Sequence, residues 1–270
     1  MDIFENSFND KVIIPFYKYQ GTGNDFILID KINHPTISLP SDINLIKKLC
    51  HRKFGIGADG LIFLQKHPQY DFEMVYYNPD GSQSLCGNGS RCAVQLANKL
   101  GIIDDQANFL AIDGPHQVRI QDSLIYLAMH DVSTVQAIEN DHFLDNGSPH
   151  YVHFVDNLEE IDVINMGKMI NHRESFQNTA TNVNFVKLEK NNQISMRTYE
   201  RGVNNETLSC GTGAVAAALV ASEKGYISPI HIRTMGGELK VSFHKQNAVF
   251  TDIWLIGPAI QVFQGQISIS

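Results

Sequence analysis

Leu208-Ser-Cys-Gly-Thr-Gly-Ala214 runs directly into Val215-Ala-Ala-Ala-Leu-Val-Ala221, a segment of small and branched apolar residues without a charge. The pattern reads as a buried helix with a cysteine at its mouth, flanked by glycines that leave backbone N–H groups uncovered. The same device occurs at Cys86-Gly-Asn-Gly-Ser-Arg-Cys92. A shift of 124 residues places Cys86 on Cys210, Gly87 on Gly211, Asn88 on Thr212, Gly89 on Gly213 and Gly101 on Gly225 without a gap. Upstream, each copy has a strand-like run ending in Tyr and a polar residue, Tyr77-Asn78 and Tyr199-Glu200. Downstream, each enters a glycine-containing hairpin, near Gly114 and Gly236. Self-similarity on this scale implies a duplicated unit of strand, polar loop, cysteine turn, central helix and hairpin, with each apolar helix wrapped by sheet.

Working outward, residues 12–128 form the expected first half, joined by a C-terminal strand within 258–270. Residues 129–257 form the second half, and 1–11 read as a mobile lead-in. The first half reads as strand, glycine turn and strand over 13–30, then a helix from Ser41 or Asp42 to about Lys53. Strands at 61–64 and 71–77, a helix over 90–100 stopped by Gly101, and strands at 108–112, 117–120 and 124–129 follow. The second half reads as a strand at 151–155, a helix at 162–171, strands at 182–188 and 194–199, the cysteine helix, a hairpin over 230–243, and strands at 249–256 and 261–264. Gly55, Gly57 and Gly60 offer a Gly-x-Gly-x-x-Gly register, but after a helix and before a strand, the reverse of a dinucleotide site.

At 270 residues and a net charge of −8 the chain suits two globular units and lacks the basic field that a nucleic-acid partner requires. No apolar run approaches a membrane span, and the acidic N-terminus has no signal-peptide pattern, so a cytoplasmic protein without membrane partners is expected. The four cysteines, none in a C-x-x-C pair, suit reduced thiols rather than a disulfide scaffold or zinc ribbon. His116, His142 and His172 read as surface residues, and no metal cluster is evident.

One buried cysteine alone is more often a small hydrophobe than a reagent. Two matching copies change that balance. A helix N-terminus favours the thiolate, lowering the thiol pKa, and its free N–H groups form an anion site for a carboxylate. If a pseudo-two-fold sets the mouths against each other, one thiolate removes an α-proton and the other thiol returns one to the opposite face, inverting a stereocentre without a cofactor.

From about Phe16 to Gly265 the chain resembles the diaminopimelate epimerases. The resemblance rests on Gly23-Asn-Asp-Phe26, Phe54-Gly-Ile-Gly-Ala-Asp-Gly60, Tyr77-Asn-Pro-Asp-Gly81, Cys86-Gly-Asn-Gly-Ser-Arg-Cys92, Pro149-His150, Tyr199-Glu-Arg-Gly202 and Cys210-Gly-Thr-Gly213. It implies an α/β (α+β) fold of two pseudo-symmetric halves, each a mostly antiparallel curled sheet around a central helix. It further implies an isomerase that interconverts LL- and meso-diaminopimelate for lysine and peptidoglycan synthesis, a small-molecule amino-acid substrate, no cofactor or metal, and a homodimer. Cys86 and Cys210 would be the acid/base thiols, and Gly87, Asn88, Gly211 and Thr212 would hold the reacting carboxylate. Glu200 would serve the second thiol or the substrate ammonium, and His150 the first thiol. Asn24, Asn78, Asn182 and Arg201 would line the pocket. Ser148, where many members carry Asn, and the loop over 202–207, one residue longer than is common, depart from the family pattern at the far end of the substrate. A related two-cysteine racemase, such as a histidine racemase, and a thiol redox or binding module are the alternative readings.

Overall fold

The computed structural model describes residues 12–35, 42–173 and 180–269. The expected lead-in at 1–11 and the alternative cap Ser41 lie outside the described residues. In the first half, β1 (Val12–Gly21) and β2 (Asn24–Asp30) form a hairpin. Its turn holds Thr22 at φ +50° and Gly23 at +85°, where glycine relieves the left-handed strain. Then come α1 (Ile43–Cys50), β3 (Gly60–Gln65), β4 (Phe72–Tyr77), α2 (Gly87–Lys99), β5 (Gln106–Ala111), β6 (Gly114–Gln121) and β7 (Leu124–Ala128). The second half comprises β8 (Gln136–Ile138), β9 (Asp141–Asp145), β10 (Pro149–Phe154), α3 (Val163–Asn171), β11 (Asn182–Leu188), β12 (Gln193–Glu200), β13 (Asn205–Thr207), α4 (Gly211–Ser222), β14 (Ile230–Thr234), β15 (Gly237–Gln246) and β16 (Val249–Gly257). Finally β17 (Ile260–Ile269) returns to pair with β1.

The pairings show the duplication directly. One half runs in the order β17-β1-β2-β3-β4-β5-β6-β7. The other runs β8-β9-β10-β11-β12-β14-β15-β16. The sense matches at each step: β2–β3 and β10–β11 are parallel, as are β4–β5 and β12–β14, and the rest are antiparallel. The two arms meet where β7 pairs with β16. α1 and α3 occupy equivalent places too, each capped by an aspartate: Asp42 accepts from the Asn44 N–H and Asp162 from the Asn165 N–H.

Every residue from 214 to 221 in α4 is fully buried, as are Cys92, Ala93, Val94, Leu96 and Ala97 in α2. Both helices belong to one apolar cluster that runs through the two halves, while α1 and α3 cover smaller cores on the outer sheet faces. With no polar face to solvate it, α4 is held by burial of Val215, Leu219 and Val220, worth about 1.5–3 kcal/mol each.

The structure departs from expectation in four places. α1 ends at Cys50, short of Lys53. α2 begins at Gly87 rather than near Ser90, because Cys86 itself is the N-cap and the Gly-Asn-Gly run forms the first turn. β8, β9 and β13 are short and polar; strand pairing, which a residue pattern does not reveal, makes them strands. His116 is buried rather than exposed, because Asp113 Oδ1 bonds its Nε2 at 2.8 Å and Phe109 stacks on its ring.

Candidate active site

Cys86 caps α2 and Cys210 caps α4, both in extended backbone that turns helical at the next residue. The Gly89 N–H donates to Cys86 Sγ at 3.4 Å, and Cys210 Sγ lies 3.6 Å from Thr212 Oγ1. The two mouths touch. A Cβ on Gly211 would stand 3.6 Å from Asn88 Oδ1 and 3.8 Å from Gly87 Cα, and Leu255 closes on both glycines. Asn88 bridges the mouths by donating from Nδ2 to the Ser209 carbonyl at 3.1 Å. Glycine is required at 213 as well, since a Cβ there would meet Asn184 Oδ1 at 2.4 Å.

Asn24 is oriented from both ends. Its Nδ2 donates to Asp59 Oδ2 at 2.7 Å, leaving Oδ1 to accept from Cys86 Sγ at 3.5 Å and Asn88 Nδ2 at 3.4 Å. Asp59 is itself held by Arg52, which shares Asp25 with buried Lys18. Asn24 thus touches the first thiol and the Asn88 amide. Asn78 is aimed by Tyr76, whose hydroxyl donates to Asn78 Oδ1 at 2.8 Å.

On the second half, Glu200 Oε2 accepts from Thr207 Oγ1 at 2.8 Å. Thr207 reaches it because the longer 202–207 loop folds back as β13 onto β12. Burial pushes the Glu200 carboxyl up, and Asp59 adds to this against the opposing Thr207 hydrogen bond. Asn182 Oδ1 accepts from the Arg201 N–H at 2.9 Å, while its Nδ2 donates to Ser148 Oγ at 3.0 Å and to the Pro149 carbonyl. The Arg201 guanidinium stays exposed, near the Ala180 carbonyl.

The thiols differ from the simple helix-mouth expectation. Burial pushes Cys86 up to about 11 and Cys210 up to about 12, and the Glu200 carboxylate raises both. Helix N–H groups oppose this but do not prevail, because desolvation outweighs them. His150 is held by a network of its own. It is fully buried against Asn184, whose Oδ1 accepts from Thr198 and whose Nδ2 donates to the Tyr151 carbonyl and to His150 Nδ1 at 3.2 Å. Those partners fix the amide, so Nδ1 is an acceptor and Nε2 carries the proton. Nε2 has no hydrogen-bond partner among the described residues. Burial, aided by Arg201, pushes His150 down to about 3. A neutral imidazole with a free Nε2 donor results.

Thr22, Asn146, Asn184, Tyr76 and Ser209 also frame the site. Asn146 donates to the Thr212 carbonyl at 2.8 Å, and Thr22 Oγ1 donates to Ser209 Oγ at 3.0 Å. Asn184 had a sequence signal: with Asn182 it puts two amides on one face of a largely apolar strand. Thr22 and Asn146 sit in turns, where polar residues are ordinary.

Known structures with this fold include a PhzF-family phenazine biosynthesis protein of Bacillus anthracis (TM-score 0.72, 12% identity, covering 96% of this chain and 100% of that one). Another is a probable proline racemase of Agrobacterium radiobacter (TM-score 0.66, 15% identity, 95% and 93%). Among curated sequences, the diaminopimelate epimerase of Flavobacterium psychrophilum is 50% identical, covering 93% of this chain and 99% of its own. That of Aquifex aeolicus is 35% identical, covering 94% and 97%. Fold and relatives define an isomerase of the racemase and epimerase class. The diaminopimelate epimerase family model matches residues 16–128 and 142–260, and the chain belongs to that family.

Proposed function

We propose that the chain is a cofactor-independent two-base epimerase that interconverts LL-2,6-diaminopimelate and meso-diaminopimelate, supplying lysine and peptidoglycan synthesis. The observation that carries this reading is the contact of two helix mouths through Gly87 and Gly211, each capped by a thiol. A carboxylate seated between them meets N–H groups without intrahelical partners at Gly87, Asn88, Gly211 and Thr212, with both helix dipoles directed at it. One cysteine, as thiolate, takes the α-proton; the C–H electron pair moves into the carboxylate, which the mouths stabilise. The opposite thiol then gives its proton to the other face of the carbon and is left as the thiolate. Glu200 receives the α-ammonium and, with it bound, favours deprotonation of a neighbouring thiol. A high thiol pKa serves the step, because a thiolate formed in a dry site is a stronger base toward a carbon acid. His150 contributes as a neutral hydrogen-bond donor through Nε2. Asn24, Asn78, Ser148, Asn182 and Arg201 hold the far amino-acid end, where amides and a guanidinium suit a zwitterion.

A homodimer belongs to the same reading. β17 pairs with β1 on one side and has no strand on the other among the described residues, and it exposes Ile260, Val262 and Phe263. A cytoplasmic location fits a chain whose described helices include none long and apolar enough to cross a membrane. The test is stereoinversion of LL-diaminopimelate under fully reducing conditions. Cys86→Ala and Cys210→Ala should each lower kcat by at least about 10³-fold, and a variant that keeps wild-type inversion sinks the two-thiol assignment.

A further inference from the structure

Arg91 lies in the Cys86–Cys92 motif, yet proton transfer as described makes no use of it. It heads the fully buried side chains by size, at 0% exposure. Its hydrogen bonds go to neutral groups: Nε to the Pro258 carbonyl and Nη1 to the Gly87 carbonyl, both at 3.4 Å, and Nη2 to Asn88 Oδ1 at 2.9 Å and Thr22 Oγ1 at 3.2 Å. No carboxylate pairs with it among the described residues. Glycines make room for it, since a Cβ on Gly257 would lie 3.2 Å from Nε and one on Gly21 would lie 3.4 Å from Nη2. A buried cation without a counter-ion is costly, and purely structural sites usually avoid one. Burial pushes its pKa down only to about 10, so it stays charged at neutral pH.

The placement accounts for the charge. Through Asn88, Arg91 fixes the amide that reaches Asn24 and the Ser209 carbonyl; through Thr22, it reaches the Ser209 hydroxyl beside Cys210. One guanidinium thus braces both mouths, the first directly at Gly87 and Asn88 and the second through the Asn88 and Thr22 side chains. Both anions of the two-thiol reaction, the thiolate and the charge developing on the carboxylate, form there. We propose that Arg91 is a positioning residue for this reaction: it locks the two mouths in register and supplies the fixed positive charge that stabilises the thiolate and the developing carboxylate anion. The proposal rests on the two-thiol reading above.

The first test reads thiolate formation without substrate, as alkylation of Cys86 by iodoacetamide at about pH 8, followed by peptide mass spectrometry. Arg91→Met should slow alkylation about tenfold or more, one pKa unit in the thiol, whereas Arg91→Lys, which keeps the charge, should stay within about threefold of wild type. Alkylation of Arg91→Met at the wild-type rate, or equal slowing in both variants, overturns the electrostatic role. Thr22→Val keeps the charge but cuts one brace; it should lower kcat for diaminopimelate more than it raises KM and leave alkylation unchanged. A Thr22→Val enzyme with wild-type kcat overturns the bracing role, and this arm stands even if Arg91→Met does not fold. A wild type that is inert toward diaminopimelate, yet shows charge-dependent alkylation, would sink the proposed substrate and leave the role of Arg91 intact.

Discussion

At the scale of single residues, each functional group is defined by what fixes its protonation. Cys86 and Cys210 cap helices and still sit high on the thiol scale, because removal from water outweighs the N–H groups around them. In the proposed reaction both thiols therefore stay protonated until an ammonium and a carboxylate arrive together. His150 is tuned the other way. With its pKa pushed down to about 3, it would gain a proton only as pH falls toward that value, so it contributes no ionisation between about pH 5 and 8. His150→Gln should lower kcat through the lost donor while leaving the shape of the pH–rate profile unchanged across that range. A limb near pH 6.5 that is present in the wild type and lost in His150→Gln would show that His150 titrates during turnover.

At the scale of elements, the decisive feature is the meeting of α2 and α4 at their N-termini. Gly87 and Gly211 lie at that meeting, and Leu255 of β16 packs closely against both. A methyl group at 211 would stand 2.9 Å from Leu255 Cδ2, so the Leu255 side chain or the α4 mouth would have to shift. Gly211→Ala should cost about 1–3 kcal/mol in thermal unfolding, as overpacking does. It should lower kcat about 10–100-fold as the α4 mouth is displaced from its reacting geometry; wild-type kcat would mean that Leu255 gives way and the mouth keeps its place. Much of this was legible beforehand. The cysteines, their glycines and the helix-ending Gly101 and Gly225 repeat at a fixed offset, and turn and cap chemistry is local. What was not legible comes from tertiary contact. Thr22 reaches Ser209 across 187 residues, Asn184 is chosen by its fit to Gly213, and the sign of the thiol shifts depends on burial depth, which no local pattern encodes.

At the scale of the whole molecule, duplication gives the site its symmetry. The matched strand orders bring two equivalent helix ends to one point, and the β7–β16 pairing makes the two arms one continuous sheet. The outer edge of that sheet, β17, carries the apolar residues assigned to the dimer contact; Val262→Asp should shift the protein from dimer to monomer in light scattering. A wild type that is monomeric at micromolar concentration would remove that surface from the account. The central claim is that two monoprotic thiols face one carbon from opposite sides. It is tested most directly by running LL-diaminopimelate to low conversion in deuterium oxide. The meso product should carry deuterium at the inverted carbon while the remaining LL substrate keeps its protium. Deuterium entering the unreacted substrate as fast as the product would mean that a single base serves both faces, and would contradict it.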